Sequence, residues 1–182
     1  MENILYAEDS GGEDASFSQS SLAPAKEHDT LIVRMLEEPA ILLVEDDPND
    51  ALVATRALRQ AGVTSPITHL RDGEEAINYL AGYAPFHDRS QHPLPSLILL
   101  DLKMPKFGGF DVLTWLQSRP ELAEIPVIVL TGSIHPEDNK RAAQLGAIGY
   151  EVKPVDSAEL VAMANNISRH IPGSGAYTAT AV

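Results

Sequence analysis

The chain has 182 residues, 13 of them Lys or Arg and 26 Asp or Glu, for a formal net charge of −13 at pH 7. So acidic a composition offers no basic patch for a direct nucleic-acid partner, and apolar runs such as Leu97 to Leu100 and Val127 to Leu130 fall far short of the roughly 20 residues that cross a bilayer. The absence of cysteine excludes disulfides, thiolate metal sites and Cys nucleophiles together.

Glu2, Glu8 and Asp9 stand where a secretory signal carries positive charge, so a soluble, cytoplasmic protein without a membrane partner is expected. Residues 1–38 are diluted by Gly11, Gly12, Asp14, Ser16, Ser18, Ser20 and Ser21 and read as a disordered N-terminal extension. Within it, Thr30 to Leu36 has the apolar content for one short helix or strand. The stretch Asn3 to Ser10 also echoes Ala40 to Asp47 at Ile, Leu, Glu and Asp, without continuing into a repeat.

From Ala40 the pattern changes to apolar runs alternating with amphipathic stretches, five times over, the signature of a parallel sheet covered by helices. Strands are expected at Ala40 to Val44, Ile67 to Leu70, Ser96 to Leu100, Val127 to Leu130 and Ile148 to Val152. The unbroken apolar character of the third and fourth suits strands buried on both faces.

The first helix is expected to open with Asp47 as N-cap and Pro48 at the first helical position. It turns Val53, Ala54, Ala57, Leu58 and Ala61 inward and stops at Gly62. Asp72 and Glu75 have capping-box spacing for the second helix. The third spans about Gly109 to Ser118, the fourth about Pro136 to Leu145, and the fifth starts at Asp156 and buries Leu160, Met163, Ala164 and Ile167. These elements define a domain over residues 39–171, followed by a flexible tail over 172–182. The loop from Gly82 to Pro95 carries Pro85, Pro93 and Pro95 and is long enough to suggest a contact role.

Ligands of open parallel sheets bind beyond the carboxyl ends of the strands. There the sequence places Glu45, Asp46 and Asp47 after the first strand, Asp101 after the third, Thr131 after the fourth and Lys153 after the fifth. Crowded carboxylates repel one another unless a cation or protons sit among them. An all-oxygen acidic site with no cysteine and no His at ligand spacing favours Mg²⁺. With a hydroxyl and an ammonium alongside, the set describes phosphoryl transfer to a carboxylate nucleophile. Asp47 itself reads as a helix cap.

The motifs Val44-Glu45-Asp46-Asp47, Leu100-Asp101-Leu102-Lys103-Met104-Pro105, Leu130-Thr131-Gly132 and Gly149-Tyr150-Glu151-Val152-Lys153-Pro154 occur in order on successive strand ends. In these, residues 39–170 resemble the receiver domain of two-component response regulators. The resemblance implies a flavodoxin-like (βα)5 doubly wound parallel sheet in strand order 2-1-3-4-5, with Asp101 as phosphoacceptor from a phosphohistidine on a sensor kinase. It further implies Mg²⁺ held by Asp46 directly, Glu45 mainly through water, Asp101, and the backbone carbonyl of Lys103. Thr131 and Lys153 would bind phosphoryl oxygens, Thr131 and Tyr150 would act as the switch, and a cis Lys153–Pro154 peptide would aim the lysine inward. Phosphorylation would then alter the face of the fourth helix, fifth strand and fifth helix.

Gly108-Gly109 replaces the frequent Asp-Gly, which would loosen that loop, and Lys103 replaces a frequent Asn. The long loop and Asp72-Gly73-Glu74-Glu75-Ala76 look most similar to small stand-alone regulators partnered with phytochrome-type histidine kinases. With only a few residues after the fifth helix, a single-domain regulator without a fused output module is expected. Output is therefore expected through a downstream protein, onward phosphotransfer or a homodimer. An Asp-nucleophile phosphatase of the haloacid dehalogenase kind is the enzymatic rival, but its Asp-x-Asp is absent because Lys103 stands at the second position. A phosphoacceptor rather than an enzyme is the reading, with a silent binding module as the remaining alternative.

Overall fold

The computed structural model describes residues 40–154 and 157–171. The expected N-terminal extension, the short element at 30–36, the tail over 172–182 and the start of the fifth helix at Asp156 lie outside them. Five strands, β1 (Ile41–Val44), β2 (Ile67–Leu70), β3 (Leu97–Leu100), β4 (Val127–Thr131) and β5 (Gly149–Val152), alternate with five helices. The helices are α1 (Pro48–Gln60), α2 (Gly73–Ala81), α3 (Gly109–Gln117), α4 (Pro136–Gln144) and α5 (Ser157–Ser168), and a 3₁₀ turn at Pro120–Leu122 precedes β4. All strand pairs are parallel and the order is 2-1-3-4-5, the flavodoxin-like arrangement.

The strands alternate their side chains between two apolar layers. Ile41, Leu43, Leu97, Leu99, Ile128 and Leu130 face α1 and α5, where Ala54, Ala57, Leu58, Met163, Ala164 and Ile167 meet them. Leu42, Val44, Ile98, Leu100, Val127 and Val129 face α2, α3 and α4 through Ala76, Tyr79, Leu80, Val112, Leu113 and Ala142. Burial on both faces thus extends to β1 as well as β3 and β4, while β2 and β5 are edges. The inner stripe of α1 differs from expectation at one place: Val53 is exposed and Ala51 is buried instead, because the helix turns its small residues toward α5.

Helix entries follow local chemistry. The Asp47 carboxylate accepts from the Asn49 N–H at 2.7 Å with Pro48 next in line. Asp72 accepts from the Glu75 N–H at 2.8 Å, but Glu75 reaches the N–H of Arg71 at 2.7 Å rather than that of the cap residue. Gly108 does not loosen its loop, since the Asp111 carboxylate accepts its N–H at 3.0 Å.

The loop after α2 is built from within. Arg89 donates to the carbonyls of Tyr79 (2.8 Å) and Leu80 (2.7 Å) in the last turn of the helix, the first of which also accepts from the Gly82 N–H at 3.1 Å, and to that of His92 (3.2 Å). Tyr79, Phe86 and His92 pack ring against ring, and the Tyr79 hydroxyl donates to the Pro93 carbonyl at 2.8 Å. Among the described residues the cis peptide is Ala84–Pro85. The Lys153–Pro154 peptide is not cis as expected; an X–Pro bond favours trans by about 0.5–1 kcal/mol, and Lys153 reaches the sheet rim in that form.

Candidate functional site

Because the strands are parallel and in register, their carboxyl ends share one rim. Glu45 follows β1, Asp101 follows β3, Thr131 ends β4 and Lys153 follows β5. The N–H of Asp101 donates to the Val44 carbonyl (3.0 Å), and that of Lys153 to the Thr131 carbonyl (2.8 Å). These main-chain bonds carry the ladders out to the functional residues.

Three of the rim groups converge on the Lys153 ammonium. Its Nζ lies 2.6 Å from Glu45 Oε2, 3.1 Å from Asp101 Oδ2 and 2.9 Å from Asp50 Oδ2. Glu45 and Asp101 are buried, Asp46 is exposed, and oxygens of all three lie within 4.8 Å of one another. An all-carboxylate set this close fits a hard divalent cation and provides no soft ligand. The other Glu45 oxygen accepts from the Asp47 N–H at 3.3 Å, and Asp101 Oδ1 accepts from the Lys103 N–H at 3.2 Å. The Lys103 side chain points to solvent.

Enclosure decides the electrostatics of this group. Burial pushes the Glu45 carboxyl above its ordinary range, and the negative charge of Asp101 adds to it, while Lys153 pulls the other way. For Lys153, burial opposes the charge but is outweighed by hydrogen bonds to Glu45 and Asp50 and by the charges of Asp101 and Glu45. The ammonium is therefore held well above the usual lysine range. The site carries a fixed positive charge beside Asp101.

Thr131 is fully buried, and its hydroxyl accepts from the Ser133 N–H at 3.3 Å. The buried Ser133 hydroxyl donates to Asp138 of α4 at 2.5 Å, and the Ser133 carbonyl accepts from the half-buried Tyr150 hydroxyl at 3.0 Å. A continuous chain of contacts thus runs from the strand end at Thr131, through one loop residue, to Tyr150 on β5 and to α4. Two glycines shape the rim: a methyl at Gly109 would meet the Asp101 carbonyl oxygen, whereas one at Gly132 would meet nothing within 4 Å.

The structure brings Glu45, Asp46, Asp101 and Lys153 together as expected, places Thr131 at the adjoining strand end, and keeps Asp47 as a cap. Asp50 and Ser133 were not foreseen. Asp50 falls in the first turn of α1, three residues past the cap, on the side facing the rim; Ser133 sits two residues past Thr131 in the loop that faces Tyr150. Neither carries a motif signal of its own.

Among the described residues no helix is long and apolar enough to cross a membrane. A family model described as the response regulator receiver domain matches residues 41–165. The probable methanogenesis regulatory protein FilR2 of Methanothrix harundinacea is 38% identical over 125 residues, covering 68% of this chain and 78% of that protein. Response regulator Rcp1 of Synechocystis sp. is 34% identical over 127 residues, 70% of this chain and 84% of Rcp1. The Mn(2+)-bound structure of Rcp1 superposes with a TM-score of 0.64 at 33% identity, covering 71% of this chain and 91% of that one. The phosphorylated cyanobacterial phytochrome response regulator RcpA superposes with a TM-score of 0.68 at 32% identity, covering 76% and 96%. With its five-stranded flavodoxin-like sheet and acidic rim, the chain belongs to the response regulator receiver domains of two-component signalling, with phytochrome response regulators among its relatives.

Proposed function

We propose that this chain is a phosphoacceptor signalling protein in which Asp101 takes a phosphoryl group from a phosphohistidine of a sensor kinase of the phytochrome type. The observation that carries this reading is the placement of Lys153 Nζ against both Glu45 and Asp101 beside the three-carboxylate group. In the transfer a carboxylate oxygen of Asp101 attacks phosphorus, the P–N bond breaks with its electron pair left on the imidazole, and an acyl phosphate remains on Asp101. Glu45, Asp46, Asp101 and the Lys103 carbonyl would hold Mg²⁺, which when bound neutralises charge on the transferring oxygens. The fit of the oxygen donors and the Mn²⁺ held by the relative Rcp1 support this assignment.

Lys153, already charged and 3.1 Å from Asp101, needs only a short displacement to pair with a phosphoryl oxygen, and the Thr131 hydroxyl can donate to another. When Thr131 turns to the phosphoryl group it gives up its bond from Ser133, whose carbonyl holds Tyr150 and whose hydroxyl holds α4. The event at Asp101 thereby reaches the α4–β5–α5 face, where a downstream partner or a second copy of the chain would sense it. Turnover of external substrates is no part of this function; the only chemistry is transfer to Asp101 and its hydrolysis.

The test is intact-protein mass after incubation with acetyl phosphate and Mg²⁺. A labile phosphoryl adduct is expected in wild type and absent in Asp101→Asn or on chelation of Mg²⁺. An adduct that persists in Asp101→Asn would refute the assignment.

A further inference from the structure

The three carboxylates around Lys153 differ in one respect. Glu45 and Asp101 have side chains only 3% and 6% exposed, and both belong to the group of oxygens close enough to share a cation. Asp50 is 48% exposed, comes from the first turn of α1, and stands outside that group. Its 2.9 Å contact with Lys153 belongs to none of the roles assigned above.

An ammonium and a divalent cation repel each other, so a cation taking Glu45 and Asp101 weakens the hold of both carboxylates on Lys153. The contact at 2.6 Å to Glu45 is the shortest of the three, so its weakening removes the closest partner of the ammonium. A half-enclosed ammonium deprived of partners is unfavourable. Of its three partners, Asp50 alone keeps its charge available. Asp50 and Lys153 also line one small cleft together with Val53, Ala54, Leu130 and Met163, an apolar setting beside which the lysine stem can rest while its head group stays at the rim.

We propose that Asp50 is a positioning residue for the phosphoryl-transfer site, retaining Lys153 at the rim when a divalent cation takes over Glu45 and Asp101. This rests on the cation reading of the preceding subsection. It follows that the Asp50 charge counts for more in the cation-loaded protein than in the free one, and that its effect on cation affinity is transmitted by Lys153.

The experiment is Mn²⁺ binding, followed by calorimetry or by the free-ion EPR signal, on the full chain as wild type, Asp50→Asn, Lys153→Gln and the double variant, with Asp50→Glu as the charge-retaining control. For a partly exposed pair, Asp50→Asn is expected to weaken Mn²⁺ binding roughly two- to fivefold, Asp50→Glu to restore it, and Asp50→Asn to change nothing once Lys153 is Gln. An equal loss in both backgrounds would mean that Asp50 acts on the cation as a bare charge and would overturn the proposal, as would unchanged affinity in Asp50→Asn; in either case wild-type binding leaves the cation site itself standing. If wild type binds no Mn²⁺, the proposal falls together with the cation reading.

Discussion

Gly109→Ala probes how tightly α3 is seated on the residue that carries the chemistry. A Cβ at this position would overlap the Asp101 carbonyl oxygen and lie 2.9 Å from Leu102 Cα and 3.0 Å from the Asp101 carbonyl carbon. All three are main-chain atoms at the end of β3, so no rotamer change relieves the contact; either the strand end or the start of the helix must move. The Gly109 N–H bond to the Leu102 carbonyl, 3.1 Å, resists that movement. Overpacking of this kind costs about 1–3 kcal/mol, and the better helix propensity of alanine offsets at most about 1 kcal/mol. A net loss of about 1–2 kcal/mol is expected. With a urea m-value of about 2 kcal/mol/M, the unfolding midpoint falls by about 0.5–1 M. The atom displaced is the carbonyl of Asp101 itself, so phosphoryl uptake from acetyl phosphate should slow in the same variant. Gly132→Ala is the control: with open space around its Cβ, it should stay within about 0.5 kcal/mol of wild type. A Gly109→Ala midpoint within about 0.3 M of wild type, at unchanged m, would refute the argument.

Arg89→Ala removes three charged-donor bonds to main-chain carbonyls. Local opening of residues 82–95 should become easier by about 2 kcal/mol, seen as roughly thirtyfold faster amide exchange there with little change in the exchange of β3 and β4. Lys153→Gln leaves Glu45 and Asp101 buried without their cationic partner. It should lose about 2–3 kcal/mol of stability in the absence of divalent cation and regain most of it on addition of Mg²⁺, measured by urea melts with and without the ion. Burial, helped by the negative charges of Asp138 and Asp101, holds the Tyr150 phenol above its ordinary value of 10.0. Since the folded value exceeds the unfolded one, the stabilisation from the neutral phenol is complete below pH 10 and is lost as pH rises through the folded value. Wild type should accordingly lose stability faster than Tyr150→Phe above that pH, and parallel stability curves for the two proteins would contradict this. Tyr150→Phe should also keep phosphoryl uptake while weakening any phosphorylation-dependent association, because only the hydroxyl bond to Ser133 is removed.

Much of this protein was readable in one dimension. Five apolar runs separated by amphipathic stretches admit few arrangements other than a covered parallel sheet, and in such a sheet the residues after the strands share a rim. That is why Glu45, Asp46, Asp101, Thr131 and Lys153 could be named from their positions alone. Asp47-Pro48 and Asp72 announced helix starts because capping is satisfied within three residues of the cap. Two strands begin one residue later than expected, at Ile41 and Leu97, although the Ser96 N–H still donates to the Ala40 carbonyl at 2.8 Å just before them.

Near neighbours along the chain settle the alternation of elements, their caps and the order of the motif residues. Contacts between groups far apart in sequence arise only when the chain folds and brings them together across the sheet. Asp50 joins Lys153 over a separation of 103 residues, and Ser133 connects Thr131 to Tyr150 over a loop and a helix. Val53 turns to solvent because the packing of α1 on α5 selects smaller residues for the contact.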